Sequence, residues 1–378
     1  MSEKIKVAVL GAGGRSRYVV NNLLRDSENK VEIAALFDPD EEVMKLALTE
    51  WGTQDFTCCC KSEDEAILFP GVHWVMVFSP NACHKRQIIA AFNAGKHVFS
   101  EKPLASTIED CLEIFEAHRK SGLLFATGFV LRYAPIYRKV KELLDSGVVG
   151  SLQSIEANEC ILPDHGGYIM CNWRRKTSIS GPHILEKCCH DLDLINWFCG
   201  SLPIRVAAFG KRSFFRPENA FLMEKYGRKT FQSWFDPHEE GIPFNDDNDL
   251  QDHLVSISEF RNGVQVSFTA TMSNAIPERR MHFICSEGTV RLDLYTGELE
   301  YRILGQEGIT KISFREDLHG GGDSFIMREL YDSMCNGTLP RCSGNEGLES
   351  AVWALSIDQA ARERKVLDLT ACWQALGR

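Results

Sequence analysis

The sequence predicts two domains: a doubly wound parallel α/β sheet, followed by an α+β domain on a large open, mostly antiparallel sheet. Apolar runs of strand length alternate with helix-like segments over the first third of the chain. After residue 151, short runs with period-two alternation replace that pattern. A chain of 378 residues also exceeds one ordinary core. We therefore expect residues 1–130 and 131–378 to fold as separate domains.

The strands predicted for the first domain are nearly unbroken apolar runs, which are typical of a parallel sheet covered on both faces. They span residues 5–10, 31–37, 74–78, 97–100 and 123–129. Helical spacing or helix boundary residues mark the segments between them, at 18–24, 41–51, 85–94 and 108–118. This strict alternation predicts that each helix connects two parallel strands.

A glycine-rich turn, Gly11-Ala12-Gly13-Gly14, joins the first strand to the first helix. Gly11 permits a tight turn, and Gly13 lacks the Cβ that would meet a pyrophosphate. The helix that follows directs its N–H groups at the anion. The third position of the G-x-G-x-x-G pattern is Ser16, which is small enough for the helix–strand contact. We predict a Rossmann dinucleotide site rather than an unrelated glycine-rich loop.

The choice between NAD and NADP depends on Asp38, which ends the second predicted strand. An acid there accepts hydrogen bonds from the adenosine ribose hydroxyls and repels a 2′-phosphate. Arg15 would offset this preference if it met a 2′-phosphate, so NADP stays open. We expect NAD as the cofactor, with Arg15 and Asp38 among its contacts.

The second domain is expected to contain strands at 151–159, 254–260, 264–272, 281–285, 289–293 and 298–303. The dipeptide Asn262-Gly263 lies between two of them and is a strong hairpin signal. Apolar residues alternate with polar ones along the second arm of this hairpin, so one face is buried and the other is polar. Closing helices are expected at 323–336 and 348–363.

The tripeptide Glu101-Lys102-Pro103 lies between the glycine turn and a histidine flanked by acids. With its neighbours Ala94–Val98 and Leu104-Ala105, it resembles the "aGKhv…EKPla" segment of the Gfo/Idh/MocA oxidoreductases. This family includes glucose–fructose oxidoreductase and inositol dehydrogenases. Further segments similar to the family lie at Gly11–Arg15, Ser79–Asn81 with His84, Gly128–Pro135, Glu186–Asp193 and His319–Asp323.

The resemblance implies hydride transfer between a nicotinamide and a secondary hydroxyl of a sugar, cyclitol or related polyol. Lys102 would contact the reacting hydroxyl and the nicotinamide ribose, and His190 would be the acid/base. Many members have aspartate four residues before that histidine, where this chain has Glu186. The resemblance further implies cofactor contacts at Ser79, Pro80, Asn81, His84 and Glu101. It also implies substrate contacts at Arg132, Tyr133 and His319.

Residue chemistry supports the same catalytic group. Removing the O–H proton of an alcohol is best done by a group with a pKa near the working pH, which His190 has without tuning. Lys102 would polarise the oxygen. On one helix, Glu186 and His190 are i and i+4 and share a face, with Asp193 near it. Structural alternatives remain: a surface lysine, a structural histidine, a Glu186–Lys187 pair, and a hydrogen-bond acceptor at Asp193.

The segment Asn172–Lys176 combines a tryptophan with three cations. We predict that Trp173 and Arg174 contact the substrate, and a polyol, a carboxylate or a phosphate would all suit them. A rim loop is the alternative. His165 and Tyr168 are further candidates. Residues 211–249 carry many aromatic side chains without a clear period, which suggests a long loop that acts as a substrate lid.

Bulk properties exclude other classes of function. The formal net charge is −10 without blocks of like charge, so we expect no nucleic-acid or membrane partner. The fourteen cysteines contain no C-x-x-C pair, so we expect reduced thiols and no bound metal. With no apolar leader or span, a cytoplasmic location follows. The resemblance implies a homodimer or homotetramer.

Two other functions stay open at this stage. One is NAD-assisted glycoside cleavage, in which transient oxidation enables elimination. The other is a non-catalytic regulator that senses nucleotide, although intact Lys102 and His190 argue against it.

Overall fold

The computed structural model describes residues 4–232, 241–314 and 321–378. Two compact units divide the chain. The first comprises Met1–Tyr133 with Gly322–Leu348, and the second comprises Ala134–Gly321 with Glu349–Arg378. The sequence predicts a single boundary, after residue 130, whereas the first unit also contains the late helical segment Gly322–Leu348. An amphipathic helix does not reveal on which core it packs, so this return of the chain has no signal in the sequence.

The first unit contains a six-stranded parallel sheet. Its strands are β1 (Ile5–Leu10), β2 (Val31–Phe37), β3 (Cys58–Cys59), β4 (Val72–Val77), β5 (His97–Ser100) and β6 (Phe125–Thr127). They are connected by α1 (Gly14–Asp26), α2 (Glu41–Trp51), α3 (Glu63–Ile67), α4 (Asn81–Asn93) and α5 (Ile108–Ser121). The order β3-β2-β1-β4-β5-β6 is that of a Rossmann sheet, which confirms the predicted fold of this domain.

Local sequence explains how these elements begin and end. Val7 to Leu10 are fully buried, as expected for a strand covered on both faces. Helix α2 begins at an Asp40 side chain that accepts hydrogen bonds from the amides of Glu42 and Val43, at 2.9 and 3.3 Å. It ends at Gly52 in the left-handed conformation. Both ends of α2 are therefore capped, and the capped first turn lies shortly after Asp38 in the chain.

The second unit is built on a nine-stranded sheet. Its strands are β7 (Leu152–Cys160), β8 (Pro203–Lys211), β9 (His253–Phe260), β10 (Gln265–Thr271), β11 (Arg280–Cys285), β12 (Gly288–Asp293), β13 (Glu298–Ile303), β14 (Thr310–Ser313) and β15 (Leu367–Asp368). The order is β14-β13-β12-β11-β7-β10-β9-β8-β15, and only β7 and β10 run parallel in it. The predicted open, mostly antiparallel sheet is confirmed, including the β9–β10 hairpin at Asn262-Gly263.

Nine helices complete the described chain. They are α6 (Pro135–Asp145), α7 (Pro163–Cys171), α8 (Thr177–Ser180), α9 (His183–Glu186), α10 (Cys189–Cys199), α11 (Phe221–Tyr226), α12 (Gly322–Asn336), α13 (Gly344–Glu363) and α14 (Thr370–Ala375). Helix α12 belongs to the first unit. In the described ranges, no helix is both long and apolar enough to cross a membrane.

One face of the large sheet is buried and the other is open. On β10, Val266, Phe268 and Ala270 are buried, and the residues between them are more exposed. The buried face receives Trp353 of α13, whose ring meets Phe260 edge-on at 5.3 Å between centroids. Burial thus alternates with the strand period, as the sequence pattern predicted.

Candidate active site

The glycine turn lies at the carboxyl end of β1, beside the loop that follows β4. Gly11 has φ +94°, and a Cβ added there would lie 2.8 Å from the carbonyl carbon of Phe78. Only glycine suits both the conformation and the close approach. Strands β1 and β4 are neighbours at the point where strand order reverses, which is where Rossmann sheets bind ligands.

Helix α1 begins at Gly13 without a side-chain cap. A Cβ built on Gly13 would meet no protein atom within 4 Å among the described residues, so the space before this turn is open. The next glycine, Gly14, is the first residue of α1. Ser16 is fully buried, and its hydroxyl donates to the Gly13 carbonyl at 2.8 Å. The helix start therefore offers main-chain N–H groups to an anion, as a dinucleotide phosphate requires.

Asp38 follows β2 and is oriented by the main chain. Its Oδ2 accepts a hydrogen bond from the Ala12 amide at 2.8 Å, and its Oδ1 accepts one from the Asp40 amide at 3.0 Å. Asp38 is half-buried rather than enclosed. A fixed, accessible carboxylate at this strand end suits the hydroxyls of a ribose.

Arg15 pairs with two carboxylates of the first unit. Its Nε lies 2.6 Å from Glu101 Oε1, and its Nη1 lies 2.8 Å from Asp323 Oδ1. Burial opposes the charge, but the two carboxylates outweigh it and raise the pKa of Arg15. The sequence left Arg15 open as a partner for a 2′-phosphate. In the structure, Arg15 is paired with Glu101 and Asp323 instead.

Glu101 and Lys102 directly follow β5, which lies next to β4. Glu101 is buried, and its Oε2 accepts the Lys102 amide at 3.2 Å. Lys102 is half-exposed, and its bond to Pro103 is cis. The structure thus places the glycine turn, Ser79–Asn81 and Lys102 at the carboxyl ends of three adjacent strands.

His84 lies in α4 and is almost completely buried. Its Nδ1 is 2.7 Å from the Pro103 carbonyl oxygen, and its Nε2 is 2.8 Å from the Ser79 carbonyl oxygen. Burial lowers the pKa of His84. The cofactor contact expected for His84 from the resemblance stays a prediction, and in the structure both ring nitrogens lie beside main-chain carbonyl oxygens. The ring ties together the loops that carry Ser79 and Lys102.

Two further predicted contacts, Arg132 and Tyr133, lie in the 3₁₀ turn Val130–Tyr133. Arg132 is half-buried. Tyr133 is buried, which raises its pKa, and its hydroxyl donates to Glu329 at 2.5 Å. The hydroxyl assigned to a substrate is therefore bonded within the first unit, which the sequence could not reveal because Glu329 is distant in the chain.

In the second unit, His190 lies in the first turn of α10 and is 7% exposed. Glu186 is the last residue of α9. The expected single helix is thus interrupted at Lys187-Cys188, so Glu186 and His190 lie on two separate helices. No glycine or proline marks this break in the sequence. Asp193 does share α10 with His190, one turn later, and is fully enclosed at 1% exposure.

A buried ion network surrounds the start of α10. Arg279 binds both oxygens of Asp191 at 2.8 Å and lies 3.0 Å from Glu159. Lys187 lies 3.5 Å from Glu159, and Tyr295 donates to Glu159 at 3.1 Å. Breaking one partner of such a network leaves an uncompensated charge. These residues anchor Asp191, the neighbour of His190 in α10, and no local sequence pattern predicts the network.

Glu186 forms an ion pair with an arginine of the preceding loop. Its Oε1 lies 3.0 Å from Arg174 Nε. The same guanidinium donates to the Tyr168 hydroxyl at 3.1 Å and lies 4.3 Å from the centroid of the Trp173 ring. Cation–π contacts and charged hydrogen bonds favour one fixed orientation of Arg174. The structure thus brings Trp173, Arg174 and Glu186 together with Tyr168.

Two predicted residues complete the inventory. His165 in α7 is half-buried, and burial, together with the positive charge of Lys187, lowers its pKa to about 2. His319 lies outside the described residues. In the part of the chain that is described, no group of three or more His, Cys, Asp or Glu is arranged to hold a metal ion.

Two family models match the chain. One, an oxidoreductase family with an NAD-binding Rossmann fold, matches residues 5–129. The other, the C-terminal domain named GFO/IDH/MocA, matches residues 137–291. Together they span most of both predicted domains. The first match confirms the predicted NAD-binding Rossmann domain.

Individual proteins resemble this chain over part or nearly all of its length. An uncharacterized oxidoreductase of Streptococcus pneumoniae is 25% identical over 360 residues, which cover 93% of this chain and 84% of that protein. An inositol 2-dehydrogenase of Gluconacetobacter diazotrophicus is 30% identical over 195 residues, 50% of this chain and 53% of that protein. The structure of levoglucosan dehydrogenase in complex with NADH and levoglucosan has a TM-score of 0.81 and 18% identity, over 97% of this chain and 100% of that one. This last likeness shows a shared fold.

Proposed function

This chain belongs to the Gfo/Idh/MocA oxidoreductase family, and we propose that it is an NAD-dependent dehydrogenase of a sugar, cyclitol or related polyol. The observation that carries the proposal is the arrangement at one edge of the Rossmann sheet. There, a turn that contains Gly11, Gly13 and Gly14 follows β1, and Lys102 follows the nearby β5. The names of the inositol and levoglucosan dehydrogenases support the substrate class.

The residues at this edge suit a dinucleotide. Gly11, Gly13 and the uncapped start of α1 would hold the pyrophosphate, and Asp38 would hold the adenosine ribose. Arg15 is joined to Glu101 and Asp323, which supports NAD over NADP because this cation is occupied by acids. Bound NAD would supply the hydride acceptor.

His190 and Lys102 have separate tasks in this proposal. Oxidation of a secondary hydroxyl removes a hydride from carbon and a proton from oxygen. We assign the proton to the His190 imidazole, because histidine is the side chain that most readily exchanges a proton near neutral pH. Lys102 polarises the oxygen. The Arg279 network fixes the start of α10, and the His84 ring fixes the main chain beside Lys102.

The charges of the second unit favour a neutral substrate. Arg174 is bonded to Glu186, and both Arg175 and Lys176 are paired with Asp247. A phosphate or carboxylate would have to compete with these acids, whereas a polyol can share their hydrogen-bonding capacity. The pairing therefore supports a neutral sugar or cyclitol among the three ligand types left open by the sequence.

We also propose a homodimer or homotetramer in the cytoplasm. The open face of the large sheet carries exposed apolar side chains on neighbouring strands, Phe209 paired with Val255, and Ile257 next along β9. Such a patch is typical of an interface. Fourteen free thiols suit a reducing compartment.

A panel of sugars and cyclitols, each incubated with NAD or NADP, tests the proposed function. We expect NADH absorbance at 340 nm to accumulate with at least one neutral polyol, and faster with NAD than with NADP. Release of an aglycone without net NADH would instead favour the glycoside-cleaving alternative. Neither that alternative nor a regulator is proposed, because the relatives reported above are named as oxidoreductases and dehydrogenases.

A further inference from the structure

The described parts of the aromatic segment, residues 211–232 and 241–249, form a packed core rather than a loose loop. Phe215, Phe231 and Phe244 are at most 2% exposed. The centroids of Phe215 and Phe244 are 5.3 Å apart, and those of Phe231 and Phe244 are 5.2 Å apart. Ile169 and Met170 of α7 belong to the same apolar cluster. Close packing of this kind resists movement.

Helix α7 packs directly on the main chain of this segment. A Cβ on Gly167 would collide with the carbonyl of Phe231 in the segment, and a Cβ on Gly166 would collide with the carbonyl of Met272, the residue after β10. Both positions therefore require glycine. Tyr168 is the next residue of α7, so the contact at Gly167 positions the main chain that carries it.

The start of the segment is anchored by one buried acid. The Asp252 carboxylate is 1% exposed and accepts the amides of Ser213, Phe214 and Phe215, each at 2.8 Å. Three main-chain donors on one carboxylate hold the turn firmly.

The end of the segment clamps the loop that carries Arg174. Asp249 accepts both the amide and the hydroxyl of Thr177 at 2.8 Å, and the Asp249 amide donates to the Arg175 carbonyl at 3.2 Å. Asp247 accepts from Arg175 Nη2 at 2.9 Å. The loop is thus held immediately after Arg174 by two acids.

The clamped loop holds the Arg174 guanidinium in one orientation. Arg174 is bonded to Glu186 and Tyr168 and stacked on Trp173. Tyr168 stands on α7 and Trp173 on the loop, so both supports of Arg174 are set by the aromatic segment. Movement of either support would change where the guanidinium and the phenol point.

We propose that the aromatic segment is a fixed support that determines substrate specificity by positioning Tyr168 and Arg174. It replaces the lid suggested by the sequence, because its described rings are packed and its ends are anchored. The inference rests on the proposed function, in that Tyr168 and Arg174 bind the sugar. Tyr168 and Arg174 would contact the sugar, whereas Asp247 and Asp249 only hold the loop that carries Arg174. The two aspartates can therefore be substituted without changing a residue that contacts the sugar.

The double variant Asp247→Ala/Asp249→Ala removes the clamp, and Asp246→Ala is its matched control. Asp246 is a neighbouring exposed acid that makes none of the bonds described above. With the best sugar of the panel, we expect the double variant to raise KM on the order of tenfold and to lower discrimination between sugars that differ at one hydroxyl. The dissociation constant for NADH should stay within about twofold, because the cofactor residues lie in the other unit.

Hydrogen exchange of residues 163–180, followed by mass spectrometry, is the second readout. We expect faster exchange in the double variant and wild-type exchange in Asp246→Ala. Unchanged exchange overturns the support, and faster exchange with unchanged KM and discrimination overturns its role in specificity. If the wild type oxidises no sugar, the proposed function fails, and the exchange arm alone decides whether the segment is a support.

Discussion

The Asp38 carboxylate is oriented by hydrogen bonds from two main-chain amides. Its two oxygens accept from Ala12 and Asp40, and this fixes the carboxylate at the end of β2. An oriented acid needs no rearrangement to receive the two hydroxyls of a ribose, and it repels a phosphate in the same position. In the proposed function, Asp38 is therefore the side chain that contributes most directly to a preference for NAD.

We expect Asp38→Ser to lower the ratio of kcat/KM for NAD to kcat/KM for NADP by at least about tenfold. The reason is that hydrogen bonds to a charged group are each worth about 1.5–3 kcal/mol. The measurement is initial rates at 340 nm with each cofactor. Glu41→Gln, an exposed acid in the next helix, is the control and should keep the wild-type ratio. An unchanged ratio in Asp38→Ser would show that another residue selects the cofactor.

Single residues differ in how far the sequence reveals their environment. The spacing of the glycine turn and of Asp38 predicts where they lie, because both are local to one β–α–β unit. The Arg15 partners Glu101 and Asp323 and the Tyr133 partner Glu329 are distant in the chain, and no local pattern reports them.

At the scale of elements, the segment from His183 to Cys199 is two helices rather than one. Lys187 and Cys188 leave the regular helix, with φ/ψ of −98°/−49° and −90°/0°. Lys187 there reaches the buried Glu159, and α10 restarts with Asp191 on Arg279. The sequence predicted a continuous helix because a break stabilised by buried ion pairs carries no glycine or proline signal. Glu186 consequently faces Arg174 and supports substrate binding in our account.

Helix α7 contains a histidine that makes stability depend on pH. The pKa of His165 is lowered to about 2 in the folded chain by burial and by Lys187, from an ordinary value of 6.5. The unfolded chain then binds more protons below pH 6.5. The stabilisation is complete above that pH and is lost as the pH falls below it.

At pH 5.5, this one histidine should lower the free energy of unfolding by about 1.4 kcal/mol relative to pH 7.5. Urea unfolding of the wild type and of His165→Gln at both pH values measures the effect. We expect the pH-dependent loss to be about 1.4 kcal/mol smaller in the variant, because the other histidines contribute equally to both proteins and only the His165 contribution is removed. Equal losses in the two proteins would mean that His165 is protonated in the folded state.

At the scale of the whole molecule, the exposed apolar row on the large sheet has a direct consequence for assembly. Phe209 is 76% exposed and Ile257 is 62% exposed, on adjacent strands of the same face. Exposure of these apolar side chains to water is unfavourable, and a second copy of the chain would cover them.

We expect the wild type to sediment as a dimer or tetramer and Ile257→Asp to sediment as a monomer, because a charge buried in an apolar interface is costly. Analytical ultracentrifugation distinguishes the species. Leu68→Asp changes an equally exposed leucine of the first unit and should leave assembly intact. A monomeric wild type would contradict the assignment of this face.

The order of the two domains and the architecture of each sheet were predictable, because strand periodicity and turn residues are local. Asn262-Gly263, for example, predicts the hairpin that the structure contains. Helix α12 illustrates what was not predictable: an amphipathic helix must pack on some core, yet its sequence does not say which one. The apolar residues of the aromatic segment show no helical or strand periodicity in the sequence. The reason is that their rings pack into a small separate cluster rather than along one face of a helix or strand.

In the proposed mechanism, Lys102 acts on the hydroxyl oxygen, and the carbon that bears this hydroxyl gives its hydride to NAD. The most direct test compares Lys102→Ala with the wild type, using the best polyol of the panel, with Lys120→Ala as the control at an exposed position. We predict that kcat of Lys102→Ala falls by roughly 10²–10⁴-fold, while NADH still binds and Lys120→Ala retains full activity. A Lys102→Ala enzyme that turns over at the wild-type rate would contradict the account.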